Sequence, residues 1–279
     1  MIANFIITFR ETLEAALIVG IILSYLVKTK QTKYNNIVYL GIVSGLMVSI
    51  IGALIFINIA GGFTGRAEEI FEGVVMLIGS ILLTTMILWM MKQKHIAIEL
   101  EHKVDKELSE AHKFGLFFLV FVAILREGIE TVIFLGAASF VSENSMVFGA
   151  LAGIIAALFL GYMIFVGSMR INIKTFFRIT SILLILFAAG LVAHGVYELQ
   201  EAEIIPIVIE HVWDINPKAP RAAEGIYPLL HEKGYIGSIA KGLFGYNGDP
   251  SLIEVLVYVV YLIIIFILWR NIEKVHKVI

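Results

Sequence analysis

Apolar residues divide the chain into long runs, each close to the ~20 residues that a helix needs to cross the hydrocarbon core of a bilayer. The runs are Ile2 to Val27, Ile37 to Ala60, Glu69 to Met91, Phe114 to Phe140, Met146 to Met169, Thr175 to Glu198 and Leu252 to Trp269. They predict an all-α integral membrane protein with seven transmembrane helices. Two polar stretches interrupt the series. Residues 92–113 mix charges of both signs with the helix-favouring run Glu99-Leu100-Glu101-His102-Lys103, which predicts a solvated extension of the third helix with His95, His102 and His112 on its surface. Residues 202–251 hold all five prolines and several glycines, signals of loops and turns. Within that insertion Ile236, Ile239, Ala240, Leu243 and Phe244 recur at helical spacing, which predicts a short amphipathic helix covering the bundle at the outer membrane surface. The chain therefore divides into 1–91, 92–113, 114–201, 202–251 and 252–279.

Basic residues orient the spans. Lys28, Lys30 and Lys33 follow the first, Lys92 to Lys113 follow the third, Arg170, Lys174 and Arg178 follow the fifth, and Arg270, Lys274 and Lys277 follow the seventh. By the positive-inside rule the N-terminus is outside and the C-terminus cytoplasmic, in a multi-pass protein of the cell membrane. The first run lacks a basic leader and a small-residue cleavage site, so it is expected to be a retained span.

Composition agrees with a membrane protein: 59% of the 279 residues are hydrophobic and 16% charged, with mean hydropathy +0.92. A net charge of −2 with scattered basic residues shows no nucleic-acid footprint. Cysteine is absent, so any metal chemistry must use oxygen or imidazole ligands. No H-E-x-x-H, G-x-x-x-x-G-K-[ST] or G-x-S-x-G occurs, and zinc protease, ATP-driven pump and serine hydrolase lose their usual support.

Against this apolar background stand Arg10-Glu11-Thr12-Leu13-Glu14 and Arg126-Glu127-Gly128-Ile129-Glu130, both reading R-E-x-x-E. On a helix the glutamates at i and i+3 share a face and the arginine reaches the second glutamate at i+4. Insertion scales place a central Asp, Lys or Arg at about +2.5 to +3.5 kcal/mol, so six such groups cost on the order of 15 to 20 kcal/mol before pairing. A pair of interhelical clamps would explain buried charge, but a clamp would be neutral. Two arginines against four glutamates leave −2, as a cation site requires.

Further matches indicate a duplication. Gly20 falls six residues after Glu14 and Gly136 six after Glu130, and the following spans carry Gly41-x-x-x-Gly45 and Gly149-x-x-x-Gly153. Small residues at such spacing let membrane helices approach closely. Three spans per half forces the halves into opposite orientation, the inverted-repeat plan of many transporters, with the site near the midplane. Glu11 lies roughly 15 Å and Glu127 roughly 20 Å from the start of its run, so four carboxylates are expected to converge in the middle of a ~30 Å core.

The outer mouth offers Glu68, Glu69 and Glu72, joined by Glu198 and Glu201 at the end of the sixth run. These acids either offset a helix dipole or form a funnel that concentrates cations. His194, one turn before Glu198, is either a structural histidine or a gate.

The twin R-E-x-x-E stretches on the first and fourth runs, Glu68-Glu69-Ile70-Phe71-Glu72-Gly73 and Glu198-Leu199-Gln200-Glu201-Ala202 resemble the oxidase-dependent iron transporter family of fungal and bacterial iron permeases. The likeness continues through Trp213-Asp214 and Leu243-Phe244-Gly245-Tyr246 to Tyr258. It implies seven helices, no cofactor, and iron as the transported substrate, oxidised by a partner and passed on as Fe3+. It also implies that Glu11, Glu14, Glu127 and Glu130 bind the metal, with Arg10 and Arg126 in their motifs. The chain has no long N-terminal extracytoplasmic region, so the ferroxidase or iron-delivery partner is expected to be a separate protein. Carboxylates alone also suit Mn2+ or another hard cation, and a Pb2+-uptake branch resembles the same family. A metal sensor signalling through 92–113 would use the same glutamates. A membrane enzyme with Glu11 and Glu127 as acid and base would need a nucleophile or cofactor that the sequence does not show.

Overall fold

The computed structural model describes residues 2–92, 96–109, 113–141, 146–165, 173–214, 227–229, 231–232 and 234–278. Among them every regular element is helical: α1 Ile2–Lys28, α2 Asn35–Ala60, α3 Arg66–Lys92, α4 Ile96–Ser109, α5 Lys113–Val141, α6 Met146–Phe165, α7 Ile173–Glu201, α8 Tyr235–Phe244 and α9 Leu252–Val278, with a 3-10 turn at Thr32–Tyr34. Among the described residues five helices are long and apolar enough to cross a membrane, covering Thr32–Ala60, Arg66–Met91, Val147–Phe165, Phe177–Glu201 and Leu252–Ile272. With 27 and 29 residues, α1 and α5 are as long, but each carries one R-E-x-x-E motif.

Burial follows the sequence pattern. In α2 the buried residues are Val38, Gly41, Gly45 and Ser49, a stripe three or four residues apart, while Val43, Met47, Ile50 and Leu54 project outward. The same outward apolar surface appears as Leu151, Ile155 and Leu158 on α6 and Val260, Ile263 and Ile267 on α9. Such a surface is stable only in lipid, so this is a multi-pass membrane protein. By contrast α7 is mostly buried and forms the centre of the bundle.

Helix pairing crosses between the halves of the chain. The largest interfaces are α1 with α6, α2 with α5 and α3 with α7; α1 also packs on α5, and α9 on α7. Lipid tails supply no hydrophobic drive for such pairing, so close van der Waals contact must. Glycine permits it: a methyl at Gly45 would come within 2.9 Å of Ile124 on α5, and one at Gly153 on α6 would strike Thr8 on α1. The Thr8 hydroxyl donates to the Ala150 carbonyl at 3.0 Å, adding a hydrogen bond to that seam.

Two polar stretches differ in outcome. The segment after α3 is not wholly solvated, because one side of α4 packs on α1 and α5. Its buried Val104 joins Ile22, Leu26 and Leu116, with Leu100 packed alongside, and Tyr25 donates to Asp105 at 2.8 Å. Leu100 and Val104, one turn apart, supply an apolar stripe that overrides the high charge of the segment. His102 is exposed as expected, whereas His95 and His112 lie outside the described residues. The amphipathic helix of the insertion is present as α8, with Ile236 and Ile239 on its exposed side. It ends at Gly245 in the left-handed conformation, φ +64°. Any side chain at Gly245 would overlap Gly190 of α7, so the glycine serves both the turn and the docking of α8.

Candidate metal centre

Each motif is helical, so its three charged side chains fall at i, i+1 and i+4, and the packing of α1 on α5 brings the two sets together. Carboxylate oxygens of Glu11, Glu14 and Glu127 lie within 4.8 Å of one another. All three are nearly inaccessible, at 1%, 9% and 4% exposure. Both oxygens of Glu11, Oε1 of Glu14 and Oε2 of Glu127 and of Glu130 are buried without a hydrogen-bond partner. Buried carboxylates are otherwise paired or bound to metal, because an isolated charge is very costly in a low-dielectric interior.

The arginines are not equivalent. Arg10 is fully buried, with Nε 3.0 Å from Glu14 Oε1 and Nη1 3.9 Å from Glu11 Oε1. Its Nη2 donates to Met90 Sδ at 2.9 Å. In the second motif Arg126 Nε donates to Glu130 Oε1 at 2.7 Å and stands 3.9 Å from Glu127 Oε1. Its side chain is 43% exposed and its guanidinium lies 5.1 Å from the centre of the Trp89 ring. Glu14 and its arginine are close but poorly aligned, while Glu130 is hydrogen-bonded outright, and Glu130 is not among the three convergent carboxylates.

Glu68, Glu69, Glu72, Glu198 and Glu201 form a separate group. Glu68 and Glu69 occupy the first turn of α3, with Glu72 in the next. Close backbone approach at Gly73 and Gly195 sets the end of α7 beside the start of α3, so Glu198 lies in the field of Glu72, Glu69, Glu201 and Glu68.

His194 is buried, its Nδ1 3.2 Å from the Gly190 carbonyl and 3.9 Å from Glu254 Oε1. Glu254, on α9, was not singled out from the sequence. It is 2% exposed, and both its oxygens accept from Asn247 Nδ2, at 3.1 and 3.0 Å. Ser251 Oγ accepts from the Glu254 amide and donates to Gln200 Oε1 at 2.7 Å, tying α9 to α7. A cavity of about 230 Å³ beside it is lined by Trp213, Phe244, Tyr246, Asn247, Glu254 and Tyr258. The available signal was an acid two positions inside an otherwise apolar run.

The bundle and its buried carboxylates define a multi-pass membrane protein with an oxygen-only candidate cation site. The chain belongs to the iron permease FTR1 family, whose profile matches residues 1–276. It is 35% identical over 269 residues to the ferrous iron permease EfeU of Escherichia coli O6:H1 (strain CFT073), covering 94% of this chain and 93% of that protein. The same identity and coverage hold for the ferrous iron permease EfeU of Escherichia coli O157:H7. The ferrous iron permease EfeU of Yersinia pestis is 33% identical over 274 residues, 96% of this chain and 93% of its own length. No solved structure matches the chain. Membership in this family makes the protein an iron transporter, with iron as substrate.

Proposed function

We propose that the chain carries iron into the cytoplasm without ATP, through a site in which Glu11, Glu14 and Glu127 are the first ligands and Glu130 joins when Arg126 releases it. The observation that carries this reading is the convergence of three buried carboxylates, from two separate helices, within 4.8 Å. Oxygen donors suit hard or borderline cations. The outer acids Glu68, Glu69, Glu72, Glu198 and Glu201 raise the local cation concentration, and His194 with Glu254 steadies α7 against α9.

In this reading α1 and α5 are the remaining two of seven spans, their charges turned inward. The halves are inverted repeats: exchanging α1, α2 and α3 with α5, α6 and α7 maps the α1–α6 interface onto α5–α2 and leaves α3–α7 and α1–α5 unchanged. Inverted repeats supply alternating access about a site at their interface. The basic residues that follow the apolar runs of α1, α3, α6 and α9 support a cell-membrane protein with its N-terminus outside and its C-terminus in the cytoplasm.

The iron arrives as Fe3+ from a separate extracytoplasmic oxidase. A second reading, in which Fe2+ itself crosses, is favoured by the ferrous iron named for the relatives. Vesicles containing only the purified protein test both: Fe2+ held reduced and Fe3+ as a weak chelate are offered in turn, without ATP. Flux of Fe3+ is the expected result. Flux of Fe2+ alone would replace the first reading by the second, and flux of neither would overturn the permease.

A further inference from the structure

Two neighbouring residues of α3 each receive one motif arginine. Met90 Sδ accepts from Arg10 at 2.9 Å, and the indole of Trp89 lies under Arg126 at 5.1 Å. The partners differ in what they restrain. Arg10 is walled in on every side, at 0% exposure, and could not move far even without Met90. Arg126 is 43% exposed, and three things hold it: its own backbone, Glu130 and the Trp89 ring.

Where Arg126 sits decides how many ligands the site has. Its Nε is 2.7 Å from Glu130 and 3.9 Å from Glu127. A change of just over an ångström would tighten the loose 3.9 Å ion pair of Glu127 with Arg126 to hydrogen-bond distance and draw Glu127 away from Glu11 and Glu14. A planar guanidinium readily bridges two carboxylates, because its donors form a fork. An aromatic face attracts the cation from the opposite side.

We propose that Trp89 is a positioning residue of the metal centre: its ring holds Arg126 on Glu130 and so keeps Glu127 free for the ion. The inference rests on Glu127 being a metal ligand, as in the permease reading. A tryptophan near the end of a membrane helix can instead be a plain interfacial anchor, and the experiment must separate the two.

Metal binding by the detergent-purified full chain is measured with Mn2+ as an oxygen-preferring probe, alongside iron uptake in vesicles. Trp89→Leu keeps an apolar side chain but removes the ring face. It should raise the half-saturating Mn2+ and iron concentrations about threefold to thirtyfold, the range a cation–π contact spans between exposed and desolvated settings. Maximal uptake at saturating iron should change little. Trp89→Phe, which retains a ring, should recover most of the affinity. In an Arg126→Gln background, which removes no carboxylate, Trp89→Leu should have no further effect on binding. An equal loss with and without Arg126, or a Trp89→Phe variant as weak as Trp89→Leu, would overturn the proposal and leave Trp89 an anchor. If the wild type binds Mn2+ and the cycle behaves as expected but no iron crosses the vesicle membrane, the permease reading fails and the positioning role stands.

Discussion

Glu11 and Glu127 are held by opposite halves of the chain, and each is nearly inaccessible. Loss of an outer-sphere partner of a metal ligand typically costs about 10- to 100-fold in affinity or activity, so loss of a ligand itself should cost at least as much. Glu11→Ala, Glu14→Ala and Glu127→Ala should therefore nearly abolish iron uptake in vesicles while the protein still inserts; uptake at the wild-type rate by Glu11→Ala or Glu127→Ala would remove them from the site. Arg10→Lys should also fail, because a lysine cannot span Glu11, Glu14 and Met90 as the fork does. The charged motifs were legible in the sequence because nothing else explains arginines and glutamates in the middle of an apolar run. Glu254 was harder to notice, since an acid in the first turn of a helix is commonplace. The contacts of Arg10 with Met90 and Arg126 with Trp89 could not be read at all. They depend on where α3 passes, which no local pattern encodes.

At the scale of elements, each apolar run falls on a helix over its described residues, and five of these helices are long and apolar enough to cross a membrane, because length and hydropathy are properties of the run itself. The role of α4 was not legible, since its few apolar residues count only once α1 and α5 are in place to receive them. The insertion shows a similar dependence. Residues 209–213 are laced to 247–252 by Val212 N–H to the Pro250 carbonyl and Leu252 N–H to the Ile209 carbonyl, both 3.0 Å. The Trp213 indole N–H donates to the Asn247 carbonyl at 3.3 Å, and His211 Nδ1 lies 2.7 Å from Asp249 Oδ1. The hydrogen bond to Asp249 raises the His211 pKa above its usual value, and the charges of Asp249, Glu210 and Asp214 add to the effect. A raised folded-state pKa stabilises below the ordinary histidine value near ~6.5, and that contribution disappears as pH rises through the shifted value. Amide exchange at Val212 and Leu252, corrected for its intrinsic pH dependence, should thus accelerate as pH rises from the ordinary histidine range through the raised value. His211→Asn should abolish the step; a step that survives in this variant would mean that another group titrates.

For the whole molecule the governing quantity is the charge that crosses with each ion. A charge moving through 100 mV exchanges about 2.3 kcal/mol, so Fe3+ entering an inside-negative compartment gains about 7 kcal/mol, a roughly 10⁵-fold accumulation. Uptake into vesicles should therefore follow an imposed potassium diffusion potential; indifference to inside-negative voltage would point to compensating proton exit through the same glutamates. The crossed pairing of the helices has a further consequence for how the protein is made. The principal partner of α1 is α6 and that of α2 is α5, so α2 waits for α5, and α1 does not meet its main interface until more than half of the chain has been made. During that interval Glu11 and Glu14 have Arg10 but not Glu127 or the rest of α5 and α6 around them, and Arg10 gains only Met90 of α3, at an insertion cost of several kcal/mol. The insertion machinery must shelter α1 until the second half arrives, and ribosome stalling before α5 should strand an unassembled first half that quality-control proteases can reach.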